Sequence, residues 1–390
     1  MIRNISVGID IGTTTTRVVV SEFSKNEKTP KIIATGQTET KGLRHGYIVN
    51  FDEAVKSIKN AVAQAENISG IKIRRAFVSI GGVTLSSEIS HGSAIISKAD
   101  NEVTTLDVKK AIKESEDNLN IGNKKIIHTF PISYKLDEKE VLGHPEGLRG
   151  IKLEVKTLFI TCLSQHLEDL LGAVADAGVE PIEAIASPIA SAEVALTDKQ
   201  KMVGCAIVNI GSETVSIATF ENGLPISLHI FSIGSSDITN DIALGLKIPL
   251  EEAEKLKIGP LFGSHSKKKL DEIIEARLSD IFELIENHLK KIKRNGLLPA
   301  GIIFTGGGSA SSAPMLEKLS KGVLGLPSRV GGSEIFANTK TKVRDSAWFV
   351  ALGLCMSGQN SSNNEPHSSL QGFVKDIKGN IKSMFKQLLP

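Results

Sequence analysis

Val7-Gly8-Ile9-Asp10-Ile11-Gly12-Thr13-Thr14, followed by Arg17-Val18-Val19-Val20, has a counterpart half a chain later. There Ala206-Ile207-Val208-Asn209-Ile210-Gly211-Ser212-Glu213-Thr214 is followed by Ser216-Ile217-Ala218-Thr219-Phe220. Each is a β-rich run, a polar turn carrying a glycine, and a second β-rich run. Asp10 aligns with Asn209 and Gly12 with Gly211, so the chain reads as two related α/β halves facing each other. A Gly-Thr-Thr turn can aim several backbone N–H groups and hydroxyls at one point, which makes a cradle for phosphate. The acid at the strand end before it, Asp10, can orient a water on phosphate-bound Mg²⁺. A single glycine hairpin is most often a plain turn. The pair gains meaning from a third element, Thr305-Gly306-Gly307-Gly308-Ser309 after the apolar run 301–304, where backbone can approach a flat ring or a phosphate closely.

Periodicity fills in the intervening chain. Helices are expected at 52–65, from about 103 to 118 with Thr104 or Thr105 as N-cap, at 164–177 ending on Gly178, and at 187–196. Further helices are expected at 236–246, 250–257, 268–294 and 346–355. Strands are expected at 75–80, 125–134 and 151–161, which makes 84–162 an α+β unit of its own. The 390 residues exceed one hydrophobic core, again pointing to two or more subdomains.

A formal net charge of +2 and 4% aromatic residues provide neither a basic surface nor stacking platforms for bases, so no nucleic-acid partner is expected. Cys162, Cys205 and Cys355 are odd in number and follow no metal spacing, which fits buried thiols in a reducing cytoplasm. The first residues run straight into a strand pattern, unlike a signal peptide. No run approaches the ~18 apolar residues needed to span a bilayer. Membrane contact is therefore expected to be peripheral and cytoplasmic.

Residues 370–390 form the second decisive pattern. At about 100° per residue, Leu370, Phe373, Val374, Ile377, Ile381, Met384, Phe385 and Leu388 fall within one arc of roughly 120°. Lys375, Lys378, Lys382 and Lys386 line the neighbouring flank, where their stems can snorkel to anionic headgroups. A polar tether, 357–369 (SGQNSSNNEPHSS), precedes them. A terminal helix packing back on its own domain would not need such a spacer, so an interfacial membrane helix is expected.

The order of the three glycine elements resembles the actin-like ATPase superfamily. Within it the chain resembles the FtsA family of bacterial cell-division proteins over essentially its whole length. The pieces that carry the likeness are Ser187-Pro188-Ile189-Ala190-Ser191-Ala192, Ile238-Thr239-Asn240-Asp241-Ile242-Ala243, Glu251-Glu252-Ala253-Glu254-Lys255-Leu256-Lys257 and Ala351-Leu352-Gly353, with Gly147-Leu148-Arg149-Gly150 in the α+β unit. The resemblance implies an α/β, actin-like two-lobed fold of duplicated ribonuclease-H-like halves, with an FtsA-type subdomain inserted in the first. The implied division is 1–83 and 163–200 for domain I, 84–162 for the insert (1C type) and 201–356 for domain II. Domain II carries a smaller subdomain at about 234–300; the tether and the membrane helix follow. It further implies ATP with Mg²⁺ held by Asp10, Gly12, Thr13, Thr14, Asn209, Gly211, Ser212, Gly306, Gly307 and Gly308. Glu254 and Lys257 would contact the ribose; without the resemblance both read as a solvated helix face. Implied partners are FtsZ filaments, bound through the smaller subdomain, further copies of the chain, an anionic lipid surface and other division proteins. The implied location is the cytoplasmic side of the membrane at the division site.

The chain departs from the superfamily in its second turn. Asn209 stands where an Asp is usual, Ser212 and Glu213 near glycines, Ser216 at a further Asp, and Thr15 where many relatives place a lysine after the first turn. A charge on Glu213 at ~4 Å from phosphate would cost about 4 kcal/mol at an effective dielectric of ~20, unless it turns outward or reaches Mg²⁺. Retained fold, weak nucleotide binding and at most weak ATPase activity are expected. An alternative is a PilM-like platform component of a type IV pilus machine, against which the tail argues. An actin-like metabolite kinase is a third, against which the second turn argues.

Overall fold

The computed structural model describes residues 4–24, 29–259, 267–310, 313–332 and 345–360. Every residue assigned to the membrane helix lies outside them.

The first half opens with an antiparallel meander, β1 (Asn4–Ile11), β2 (Thr15–Phe23) and β3 (Lys31–Glu39). A short hairpin, β4 (Leu43–Arg44) and β5 (Tyr47–Ile48), leads into α1 (Phe51–Ser69), and β6 (Arg75–Ile80) returns parallel to β1. Asn50 caps α1 by accepting from the Glu53 N–H, with Asp52 and Glu53 in the electropositive first turn. Its Ala54, Ile58, Ala61, Val62 and Ala65 recur at helical spacing and are buried. Val18, Val19 and Val20 are all fully buried, so this sheet is covered on both faces.

The chain then leaves the sheet. β7 (Ser86–Ile95), α2 (Thr105–Asp117), β8 (Lys124–Leu136), β9 (Lys139–Val141) and β10 (Lys152–Leu163) form a separate antiparallel sheet, ordered β7-β10-β8-β9, with α2 packed against it. Thr104, one of the two expected N-caps, caps α2 in a reciprocal box with Asp107. This unit has its own small core around Val103, Val108, Ala111, Leu136, Leu153 and Val155. α3 (Ser164–Asp176) brings the chain back, and β11 (Glu180–Ala186) completes the first sheet in the order β11-β6-β1-β2-β3.

The second half repeats the plan. After α4 (Ser187–Ala195) and α5 (Asp198–Val203) come β12 (Cys205–Ile210), β13 (Val215–Glu221) and β14 (Leu224–Phe231). Three helices follow, α6 (Ser235–Leu246), α7 (Leu250–Ile258) and α8 (Lys267–Lys291). β15 (Ile302–Thr305), α9 (Gly307–Ala310), α10 (Ala313–Leu324) and β16 (Ser328–Val330) lead to a 3-10 turn at Ser346–Trp348 and to α11 (Phe349–Asn360). The sheet order is β14-β13-β12-β15-β16, with β12 antiparallel to β13 and parallel to β15. That is the first sheet's order and strand sense repeated, two halves of one design.

Two helices are exchanged between the lobes. α4 follows the first sheet and touches β6 and β11 but also packs on β12, β13 and β15, whereas α11 follows the second sheet and packs on α4, β1, β2 and β6. Val19, Ala192, Leu196, Ile207, Phe220 and Phe349 share one apolar cluster drawn from both halves. Large apolar side chains buried this fully give about 1.5–3 kcal/mol each, so the lobes are joined by a continuous core.

The structure amends the expected elements. α11 runs through Asn360, so 357–360, expected as the start of the tether, is helical. Its expected first turn, 346–348, is 3-10 rather than α-helical. β3, β7, β9, β11 and β14 have no counterpart among the expected strands. All three cysteines are buried free thiols, their pKa values pushed up to about 12 by burial, which makes them unreactive.

Candidate functional site between the two lobes

The two glycine turns close in the same way. Gly12 N–H donates to the Thr15 carbonyl at 3.2 Å, and Gly211 N–H to the Thr214 carbonyl at 2.9 Å. A Cβ on either glycine would sit 2.9 Å from that carbonyl oxygen, too near for any side chain. Asp10 pairs with Arg17 across the first hairpin, and Asn209 with Ser216 across the second. The third element packs against the second turn: Gly306 has φ +92°, and a Cβ there would lie 2.4 Å from the Asn209 Oδ1. Ser235 and Ser236, at the start of α6, donate their N–H groups to the Gly211 and Ser212 carbonyls at 2.9 and 2.8 Å.

These elements surround one cleft of about 570 Å³, within the range of small-molecule sites. Asp10, Gly12, Thr13, Thr14, Asn209, Gly211, Ser212, Glu254, Lys257, Gly306, Gly307 and Gly308 all line it, so the positions singled out in the sequence converge in space. Arg17, Gly46, Gly81, Gly82 and Ser187 line it too and are not evident from the sequence alone. Arg17 does carry a signal: with Thr15 it falls on one face of β2 at the strand period.

Asp10 is buried, and its Oδ1 accepts a hydrogen bond from the Ser79 hydroxyl at 2.9 Å. The same hydroxyl oxygen accepts from the Ile11 N–H at 3.0 Å, which fixes the carboxylate at the strand end. Burial pushes its pKa above the usual carboxylate range, an effect offset in part by Arg17 and by Ser79. The Arg17 guanidinium lies 5.7 Å from the centre of the Trp348 ring, and its buried Nε has no hydrogen-bond partner among the described residues. A buried guanidinium nitrogen without a partner is costly and suits an anion entering the cleft.

Lys257 is not on a solvated face. Its side chain is 4% exposed, and Nζ donates to the Ser235 carbonyl at 3.1 Å, Thr239 Oγ1 at 2.8 Å and Glu254 Oε2 at 2.7 Å. Glu213, whose charge would be unfavourable beside a phosphate, is turned away from the cleft. Its Oε2 accepts from the His45 N–H at 2.5 Å. Two cations, two carboxylates and five glycine-bearing segments suit a nucleotide whose Mg²⁺ is held mainly by phosphate and water. No group of three potential metal ligands converges among the described residues.

Comparison with known proteins places this arrangement. Residues 206–353 match the family model "Cell division protein FtsA", and residues 82–161 match "SHS2 domain inserted in FTSA". Among curated proteins, Cell division protein FtsA of Bacillus subtilis is 30% identical over 370 residues, covering 89% of this chain and 82% of that one. The Pseudomonas aeruginosa protein of the same name is 28% identical over 388 residues, covering 94% and 92%. Among solved structures, the PilM-PilN type IV pilus biogenesis complex superposes with a TM-score of 0.67 at 18% identity, covering 90% of this chain and 98% of that one. MreB5 of Spiroplasma citri bound to ADP gives 0.51 at 15% identity, covering 92% and 99%. At these identities the structures speak to fold alone, and that fold is the actin-like one. The duplicated lobes, the inserted subdomain and relatives matched along most of their length lead to one conclusion: this chain belongs to the FtsA family of cell division proteins.

Proposed function

We propose that this chain is a division scaffold that self-associates and tethers FtsZ filaments to the cytoplasmic face of the membrane. In this reading the cleft holds ATP with Mg²⁺ weakly and hydrolyses it poorly. The observation that carries the nucleotide reading is the cleft itself, with charged Asp10 and Arg17 on one hairpin and uncharged Asn209 and Ser216 at the same register of the other. Arg17 supplies positive charge toward phosphates, Glu254 and Lys257 would meet the ribose, the glycine turns supply backbone N–H groups, and Gly306–Gly308 leave room for a flat ring. Bound Mg²⁺ would neutralise phosphate charge, with Asp10 orienting one of its waters. Asn209 can hydrogen-bond but cannot hold a metal-bound water as a carboxylate does, and it cannot take a proton. The attacking water therefore lacks a second anionic partner, and slow turnover follows. Phosphate release from purified protein with ATP and Mg²⁺ tests this; turnover matching an efficient ATPase would sink it.

The amphipathic pattern at 370–390 supports the membrane role. Partial burial of its apolar arc, with about 1 kcal/mol from each lysine near an anionic surface, is opposed by the ordering of some twenty residues at about 1–2 kcal/mol each. One copy thus binds modestly, whereas a row of copies gains ~10²–10⁴ from avidity. Self-association and membrane binding support each other in this scheme, and the helical region at about 234–300 would face FtsZ. Because α11 extends to Asn360, the informative truncation ends there. Full-length chain should pellet with anionic liposomes and the truncated chain should not; equal pelleting would remove the membrane reading. Capture of the intact chain by the C-terminal peptide of FtsZ tests the filament contact.

A further inference from the structure

We propose that the β4–β5 hairpin couples the two glycine turns to the inserted subdomain, so that a shift between the lobes is passed to that subdomain. On the cleft side it touches both turns. Gly46 N–H donates to Thr13 Oγ1 of the first turn at 3.2 Å. His45 grips the second turn: its N–H donates to Glu213 Oε2 at 2.5 Å, and its Nδ1 lies 3.2 Å from the Glu213 carbonyl oxygen. A carbonyl only accepts, so this Nδ1 carries the proton.

On the other side the hairpin holds both connections of the inserted subdomain. The incoming segment is fixed where Val83 N–H donates to the His45 carbonyl at 3.3 Å. The outgoing segment is fixed by His166, in the first turn of α3, which is 2% exposed. Its Nε2 lies 3.0 Å from the Gly46 carbonyl oxygen and therefore donates, leaving Nδ1 to accept from the Thr84 hydroxyl at 2.6 Å. Burial holds the imidazole in this neutral form. One ring thus ties the incoming segment, the outgoing segment and the hairpin together.

The hairpin is stiff enough to transmit displacement. His45, Gly46 and Gly82 all have positive φ, at 49°, 84° and 84°. A Cβ on Gly46 would lie 2.4 Å from Gly82 Cα, so the two backbones are in direct contact. The Tyr47 ring stacks on His166 with centroids 4.8 Å apart. A second contact spans the lobes nearby: Ser87 Oγ donates to the Leu228 carbonyl at 2.8 Å and accepts from the Leu228 N–H at 2.9 Å. The inserted subdomain therefore touches the second lobe at its base and also reaches it through the hairpin.

Hydrogen–deuterium exchange of the full chain without nucleotide tests the coupling, so a failure to bind ATP would leave this test intact. Glu213→Ala should speed exchange at 43–48 and also at the base of the insert, 82–95 and 157–166, by roughly three- to tenfold, the worth of one or two hydrogen bonds. Glu213→Gln keeps an acceptor and should exchange like the parent. In a Thr84→Val background, Glu213→Ala should still loosen 43–48, and its effect in the insert should shrink without vanishing, because the Val83–His45 and His166–Gly46 bonds remain. An effect of Glu213→Ala confined to 43–48 and 209–216, or one that reaches the insert undiminished through Thr84→Val, would overturn the proposal. Should Glu213→Ala fail to fold, His45→Ala, which loses only the Nδ1 donor, replaces it in the same measurement.

Discussion

Asp10 and Arg17 occupy the register in the first hairpin that Asn209 and Ser216 occupy in the second. The backbones around them match down to the N–H that closes each turn and the glycine that admits it. The side chains do not match: one turn carries a carboxylate and a guanidinium, the other an amide and a hydroxyl. The duplication is therefore kept by main-chain geometry, which any fold built this way requires, while the charge needed for metal-assisted chemistry is present on one side only. A pocket can retain its shape long after half of its electrostatics has changed.

The largest test removes the charge that sets the first turn apart. Arg17→Ala should weaken ATP binding about thirtyfold, near 2 kcal/mol for lost charge-assisted hydrogen bonds, as read by calorimetry; affinity within threefold of the parent would place the phosphates elsewhere. Restoring the missing charge is the next test. Asn209→Asp should raise Mg²⁺-dependent ATP turnover by about tenfold, or 1.4 kcal/mol of barrier, and unchanged turnover would show that the amide is not what limits the reaction.

Equal backbone roles predict equal costs. Gly12→Ala and Gly211→Ala should each lower stability by about 1–2 kcal/mol, and a clear inequality in denaturant midpoints would break the symmetry. The smallest effect puts the same residue at both strand ends. The folded Asp10 pKa is raised, chiefly by burial, so its carboxylate costs stability at neutral pH. That cost is absent below the ordinary carboxylate pKa and grows as pH rises through the folded value. Asp10→Asn should therefore raise the thermal midpoint slightly at pH 7, with the gain fading in acid. A gain that persists below the carboxylate range would refute the assignment.

The sequence makes some of this molecule plain and hides the rest for physical reasons. Glycines punctuate the turns, and runs of valine and isoleucine mark β2 and β12, because strands covered on both faces must be largely apolar. β7 is not legible: Ser86-Ser87-Glu88-Ile89-Ser90-His91-Gly92 reads as a loop, yet each residue pairs with β10 and Ser87 is spent on Leu228. The cleft lining is legible at the two repeated turns and at Gly306–Gly308, but not at Gly46, Gly81 or Gly82. Arg17 is masked as a lone polar residue in a strand, and Lys257 reads as a surface lysine because its partners Ser235 and Thr239 lie on another helix. The β4–β5 hairpin is the least legible part. Its contacts span 33 residues to Thr13, 120 to His166 and 168 to Glu213, separations that no local period can encode.

The exchanged helices bear on how the chain is made. Ser6, in the first strand, donates its hydroxyl to the Cys355 carbonyl in the last helix, and Val19 shares a core with Phe349 and Leu352. A ribosome releases the first sheet long before the helix that covers it. Until α11 emerges, the faces of β1, β2 and β6 that it packs against are exposed, and contacts of such long sequence separation form slowly. The nascent first lobe consequently shows an uncovered apolar face, and any pause in translation ahead of residue 349 lengthens the time for which that face stays open to solvent.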